Sequence, residues 1–267
     1  MNEQSAPPRR AGATGTYVYG VVPSDTTPTV FANVHGVDPK EPVGLVPRGE
    51  VAAVGSGVRL DEFGTEALEA NLRDLAWLED KVRAHDSVLA AVLGHATVVP
   101  FRFGAIYDSE DHVRAMLAER RDLAEALARL AGAVELGVGA YLDSEQLHAR
   151  LAAERGIGEG EESGRAYMER RRLERELDDA VAGFAAECSR TAHDRLAAEA
   201  SDARSNPVRA SDDARRLMVL NGAYLVRDEG AFRAAASELA SKLAADGVSV
   251  EITGPWPPYN FAAEAVE

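Results

Sequence analysis

HDSVLAAVLGHATVVPFRFGAIYDSEDHV (85–113) changes its hydrophobic period twice, and the order of those changes decides the fold class. HDSVLAAVLG (85–94) extends or restarts the three-and-four spacing of Leu68, Leu72, Leu75, Leu78 and Val82, the pattern of an amphipathic helix. Asp86 or Ser87 is able to cap it and Gly94 to end it. ATVVPFRFGAIY (96–107) then reads as a strand in which Pro100 requires a bulge, an edge or a bend. Asp108 and Ser109 are caps for the next helix, and Glu110 and Asp111 suit the positive end of its dipole. That helix carries Val113, Met116, Leu117, Leu123, Leu127 and Leu130 and stops near Gly132.

Outward from this stretch, TYVYGVVP (16–23) and VAAVGSGVRL (51–60) read as strands before it, joined by a polar, proline-containing connection. VELGVGAYL (134–142) reads as a strand after it. The order β-β-α-β-α-β contains the split β-α-β pattern, so residues 16–154 are expected to form an N-terminal ferredoxin-like variant with one extra or displaced strand. Residues 1–15 lack the apolar core of a secretory signal and are expected to be a disordered leader.

RGIGEGEESG (155–164) is a glycine-rich, acidic boundary loop. A long helix follows, with Leu173, Leu177, Val181, Phe184, Cys188 and Leu196 on one stripe and Ala192 in the remaining turn. The pairs Arg170–Glu174, Arg172–Glu176 and Arg175–Asp179 support its exposed face by a few tenths of a kcal/mol each. SDARSNPVRASDD (201–213) is loop by composition, and RRLMVLNGAYLV (215–226), a helix through Phe232, Leu239 and Leu243, and VSVEITG (248–254) make a β-α-β unit. The expected architecture is α+β, with a C-terminal α+β domain at 155–267 whose long helices are partly coiled-coil-like.

A net charge of −15 opposes binding to nucleic acid or to an anionic membrane surface, since both require cationic side chains. No apolar run approaches the roughly 18 residues of a membrane helix. Cys188 is the only cysteine, so no internal disulfide forms and a reducing cytoplasm is the expected compartment. There is no phosphate-binding glycine motif, no nucleophile elbow and no metal spacing among His35, His85, His95, His112, His148 and His193. No cofactor and no catalytic residue is expected, and Cys188 reads as a small buried hydrophobe. Glu135, beside apolar neighbours in its strand, reads as solvent-facing or paired with a basic side chain rather than as a general base.

The tail GPWPPYNF (254–261) sets three prolines among three aromatics, which makes it a stiff, polyproline-like strap. Two readings stand. Trp256, Pro257, Pro258, Tyr259 and Phe261 are expected to clasp the two domains to each other, with Phe101, Arg102 and Phe103 of PFRFG as the receiving surface and Trp256 buried, or they form an exposed anchor for a partner. Leu173, Leu177, Val181 and Phe184 likewise either pack on their own domain or present a face to a partner helix.

YVYGVV (17–22), the 85–113 stretch, VELGVGAYL (134–142), SGRAYMERRR (163–172), LNGAYLV (220–226) and TGPWPPYNF (253–261) together resemble, in order, the segments of the gas-vesicle GvpF/GvpL family. The match runs from about Thr16 to Phe261; residues 1–15 fall outside it, and AYMERRR has methionine where leucine is expected. The resemblance implies a non-enzymatic accessory protein of gas-vesicle assembly, cytoplasmic and vesicle-associated. Such a protein binds the small hydrophobic shell protein and other accessory proteins, as a nucleation factor or minor shell component. Two further readings compete with it: a small-molecule-binding or catalytic α+β domain, and a scaffold that self-associates through its long helix.

Overall fold

The computed structural model describes residues 12–154, 164–209 and 215–262. The chain forms two compact units, Met1–Gly132 together with Pro257–Glu267, and Ala133–Trp256. Each unit mixes helices with one antiparallel sheet.

The first unit holds β1 (Thr14–Pro23), β2 (Val43–Arg48) and β3 (Val51–Arg59), then the helices α1 (Leu60–Phe63), α2 (Thr65–Asn71) and α3 (Leu75–Leu93). Two-residue strands β4 (Val99–Pro100) and β5 (Ile106–Tyr107) follow, and then α4 (Glu110–Glu119) and α5 (Asp122–Leu130). Its sheet runs β2-β3-β1-β4, with β5 also on β1. The single strand expected at 96–107 is two short ones, because Pro100 has no N–H to give and the chain turns at Gly104, whose φ is 92°. The turn stays tied to β1 through Phe101 N–H to Tyr19 O, 2.9 Å, and Val18 N–H to Ala105 O, 2.8 Å.

A bulge between Val18 and Gly20 inserts Tyr19 as an extra residue in β1. Tyr17 and Tyr19 share a core face by alternation, their ring centroids 4.8 Å apart, and the bulge brings Val22 rather than Val21 onto that face. Phe63 of α1 and Val88, Leu89 and Val92 of α3 complete it. Helix α3 starts earlier than expected, since Asp74, not Asp86 or Ser87, accepts from Ala76 N–H and Trp77 N–H. Ser109 caps α4 as its sequence suggests.

The second unit holds β6 (Val134–Asp143), α6 (Ser144–Glu154), α7 (Gly164–Ala197), β7 (Asp202–Ser205), β8 (Arg216–Val226), α8 (Glu229–Ala244) and β9 (Val248–Trp256). Its sheet order is β7-β8-β6-β9, every pairing antiparallel. This corrects the expected division at 154/155. VELGVGAYL does not close the first sheet; it is the centre of the second, paired with β8 and β9 on its two sides. The order expected for residues 16–154 is β-β-α-β-α-β; the second unit instead runs β6-α6-α7-β7-β8-α8-β9, with its first and third strands in the middle of the sheet. Two stretches read as connections, 43–48 and 202–205, are edge strands β2 and β7: VGLVPR carries a glycine and a proline that mask its pattern, and DARS is too short to show a period. The leader at residues 1–11 and the acidic loop at 155–163 lie outside the described residues.

Candidate interaction sites

In the second unit, Leu136, Val138, Ala140 and Leu142 of β6 point into a core shared with Val248, Val250 and Ile252 of β9 and with α7 and α8. The alternate residues Gly137, Gly139 and Tyr141 point the other way. Strict alternation along β9 would place Trp256 on the core face with Val248, Val250 and Ile252. It does not hold, because the register slips: Thr253 pairs with Gly137 while Trp256 pairs with Glu135. The extra residue sits at Gly254, whose φ of 102° is open to glycine and strained for other residues. The bulge turns Trp256 to the outer face, where it is 50% exposed and its Nε1–H donates to Thr253 Oγ1 at 3.1 Å.

The expectation of a buried Trp256 is therefore corrected. The ring stands at the rim of a groove of about 450 Å³ floored by Gly137 and Gly139 and bordered by Tyr141, Met218 and Thr253. Arg216 lies 3.9 Å over the Tyr141 ring and pairs with Glu251, and the exposed Arg209 also borders the groove. Glu135, expected to face solvent or pair with a base, is buried, with 5% exposure.

The rest of the strap belongs to the first unit. Pro257, Pro258 and Phe261 are buried, and residues Tyr259–Ala262 form one helical turn, α9. Arg129 of α5 donates to Phe261 O at 2.8 Å. Tyr259 packs on the same core as Phe103, and its hydroxyl lies 3.1 Å from His85 Nε2. Of the PFRFG residues, Phe101 is buried, Phe103 half-buried and Arg102 exposed.

His85 went unmarked among the scattered histidines, although it continues the stripe of Leu78 and Val82 toward Leu89. It is 2% exposed, and its Nδ1 lies 2.9 Å from the Tyr17 hydroxyl, which also accepts from Gly104 N–H at 3.0 Å. Burial lowers its pKa to about 4, against the opposing pull of the Phe101 backbone. Burial likewise pushes the Tyr17 and Tyr19 phenols up.

On α7, Leu177 is buried, Val181 and Phe184 pack against the core of their own unit, and Leu173 is half-buried. The stripe proposed as a partner-helix face is thus largely engaged at home. Cys188 sits 5% exposed on the same stripe, its thiol pKa raised by burial. Among the described residues no helix is long and apolar enough to cross a membrane.

The model of one protein family, described as "Gas vesicle synthesis protein GvpL/GvpF", matches residues 15–263. The chain is 35% identical over 261 residues to a gas vesicle protein L from a Streptomyces species, covering 94% of each sequence. It is 31% identical to a gas vesicle protein F from the same source, over 92% of this chain and 98% of the relative. In fold it is similar to the crystal structure of gas vesicle protein GvpF from Anabaena sp., with a TM-score of 0.68, 19% identity, and 93% and 96% of the two chains covered.

Proposed function

The chain belongs to the gas vesicle synthesis GvpL/GvpF family and takes part in gas vesicle formation, and we propose that it does so as a non-enzymatic assembly factor. In this reading it is cytoplasmic and vesicle-associated. It offers an apolar surface to the small hydrophobic shell protein, as nucleation factor or minor shell component. Its charge of −15 keeps the pair dispersed.

The observation that carries this reading is the half-exposed Trp256 beside a glycine-floored groove on an acidic molecule. A large aromatic ring with one face in water is a candidate anchor, since covering it removes apolar area that the carrier alone leaves wet. The groove takes an apolar segment while the Arg216–Glu251 pair stays matched and Arg209, which is exposed, keeps its charge toward water. Co-expression with the shell protein tests it. The wild type should hold the shell protein in the soluble fraction and co-purify with it, and Trp256→Ala should reduce that capture several-fold while the chain stays folded. A shell protein as insoluble with the wild type as without it would refute the proposal.

A further inference from the structure

We propose that residues Pro257–Ala262 are an acid-released latch on the first unit, keyed by the chain of hydrogen bonds that runs from Gly104 through Tyr17 and His85 to Tyr259. The chain joins four parts of the unit that are remote in sequence. Gly104 N–H, in the turn after PFRF, donates to Tyr17 Oη on β1. The Tyr17 hydroxyl lies 2.9 Å from His85 Nδ1 on α3, and Nε2 lies 3.1 Å from Tyr259 Oη on the tail; the tautomer that completes the chain has Tyr17 donating to Nδ1 and the ring proton on Nε2, given to Tyr259. Every polar atom along the path is satisfied when the imidazole is neutral.

A second proton breaks that order. Nδ1 becomes a donor facing a hydroxyl that has no other acceptor along this path to turn to, and a cation is left among the Tyr17, Tyr19 and Phe103 rings, a cost that the Phe101 backbone offsets only in part. Leaving the latch returns the ring to water, where its pKa is ordinary. The tail is the part able to leave, since it is one turn of helix whose polar ties to the unit include the Tyr259 hydroxyl and the Phe261 carbonyl.

The titratable groups around His85 are Tyr17 and Tyr19 on β1, Tyr259 on the tail and Asp86 on α3, with Asp38 beyond Tyr19. The tyrosines do not ionise in the acid range. Asp86, whose pKa burial raises, acts in the opposite direction, because a carboxyl that gains a proton more readily when folded favours the closed state as pH falls. The sign for His85 is clear. A histidine held near 4 against an ordinary value near 6.5 binds fewer protons closed than open, so closure weakens as pH falls from about 6.5 to 4.

Hydrogen-exchange mass spectrometry of the full chain, with rates corrected for intrinsic pH dependence, reads this directly. Protection of the 259–262 amides should fall about fivefold between pH 6.5 and 5.5 and about sevenfold again by pH 4.5. In His85→Gln it should be flat over the same range. A wild type without that fall, or a His85→Gln variant that keeps it, overturns the latch. Where His85→Gln does not fold, an NMR titration of wild-type His85 decides: a ring still neutral at pH 5 supports the latch, and one protonating near 6.5 overturns it.

Discussion

The two sheets bury their strands differently. In β1 every residue from Gly15 to Val22 is buried, whereas β6 alternates between covered and open positions. On the first sheet α1 and α3 cover the Tyr17 face, α4 and α5 pack as well, and Val18, Val21, Ala53 and Val99 on the other face are fully buried. On the second, the helices meet the Leu136 face and the Gly137 face holds the Trp256 groove. The difference shows where this molecule has a surface to offer: a strand buried on both faces reads as an unbroken apolar run, and a strand with one face free reads as alternation.

Charge placed on the corresponding face of each sheet tests that contrast, with the largest effect expected here. Val21→Asp puts a carboxylate where exposure is zero and should cost more than about 4 kcal/mol or prevent folding. Ser249→Asp, on the exposed side of β9, should cost less than about 1 kcal/mol. Urea unfolding of both variants gives the comparison, and equal losses would show that the second sheet is covered on both faces.

The strap repeats the contrast on a smaller scale, because its two ends differ in burial. Phe261 is 1% exposed, and its truncation leaves a cavity as well as losing transfer energy, so Phe261→Ala should destabilise the first unit by about 3–5 kcal/mol. Each unit contains one tryptophan, Trp77 in the first and Trp256 in the second. In a Trp256→Phe background, Trp77 fluorescence therefore reports the first unit alone, and a midpoint unmoved by Phe261→Ala would show that the tail is not part of its core.

Much of this was legible in the residues, and the failures have physical causes. Helices α3 and α8 and strands β1, β3 and β8 follow from period, and α4 from period and its Ser109 cap, because each has a face buried along its length. Strand β6 was recognised but given to the wrong sheet, since local pattern reports burial and says nothing of which remote strand supplies the partner. Its alternation, against the unbroken run of TYVYGVV, was the available sign that the two strands lie in sheets of different kinds. Trp256 was misplaced by a single residue of register, which reverses a side chain's face, and the glycine that permits the slip was visible although the slip itself was not. His85 was passed over because histidines were searched for metal spacing rather than for their place on an apolar stripe.

A stability effect far below that of Phe261→Ala is expected at the residue most suited to binding. Trp256 is a large side chain, and were it packed like Phe261 its truncation would rank with the costliest in the protein. Its covered half instead rests on the sheet surface near Gly137 and Thr253, where water fills the space that truncation opens and no cavity term arises. The hydrogen bond to Thr253 is exposed, so water replaces it at little cost. Trp256→Ala should therefore lower the stability of the second unit by about 1–1.5 kcal/mol, a third or so of the Phe261→Ala loss. Circular dichroism on urea unfolding, with Trp77 fluorescence followed in the same samples, separates this loss from any change in the first unit. A loss of 3 kcal/mol or more would mean that the ring is structural, and the exposed face would then no longer single it out as an anchor.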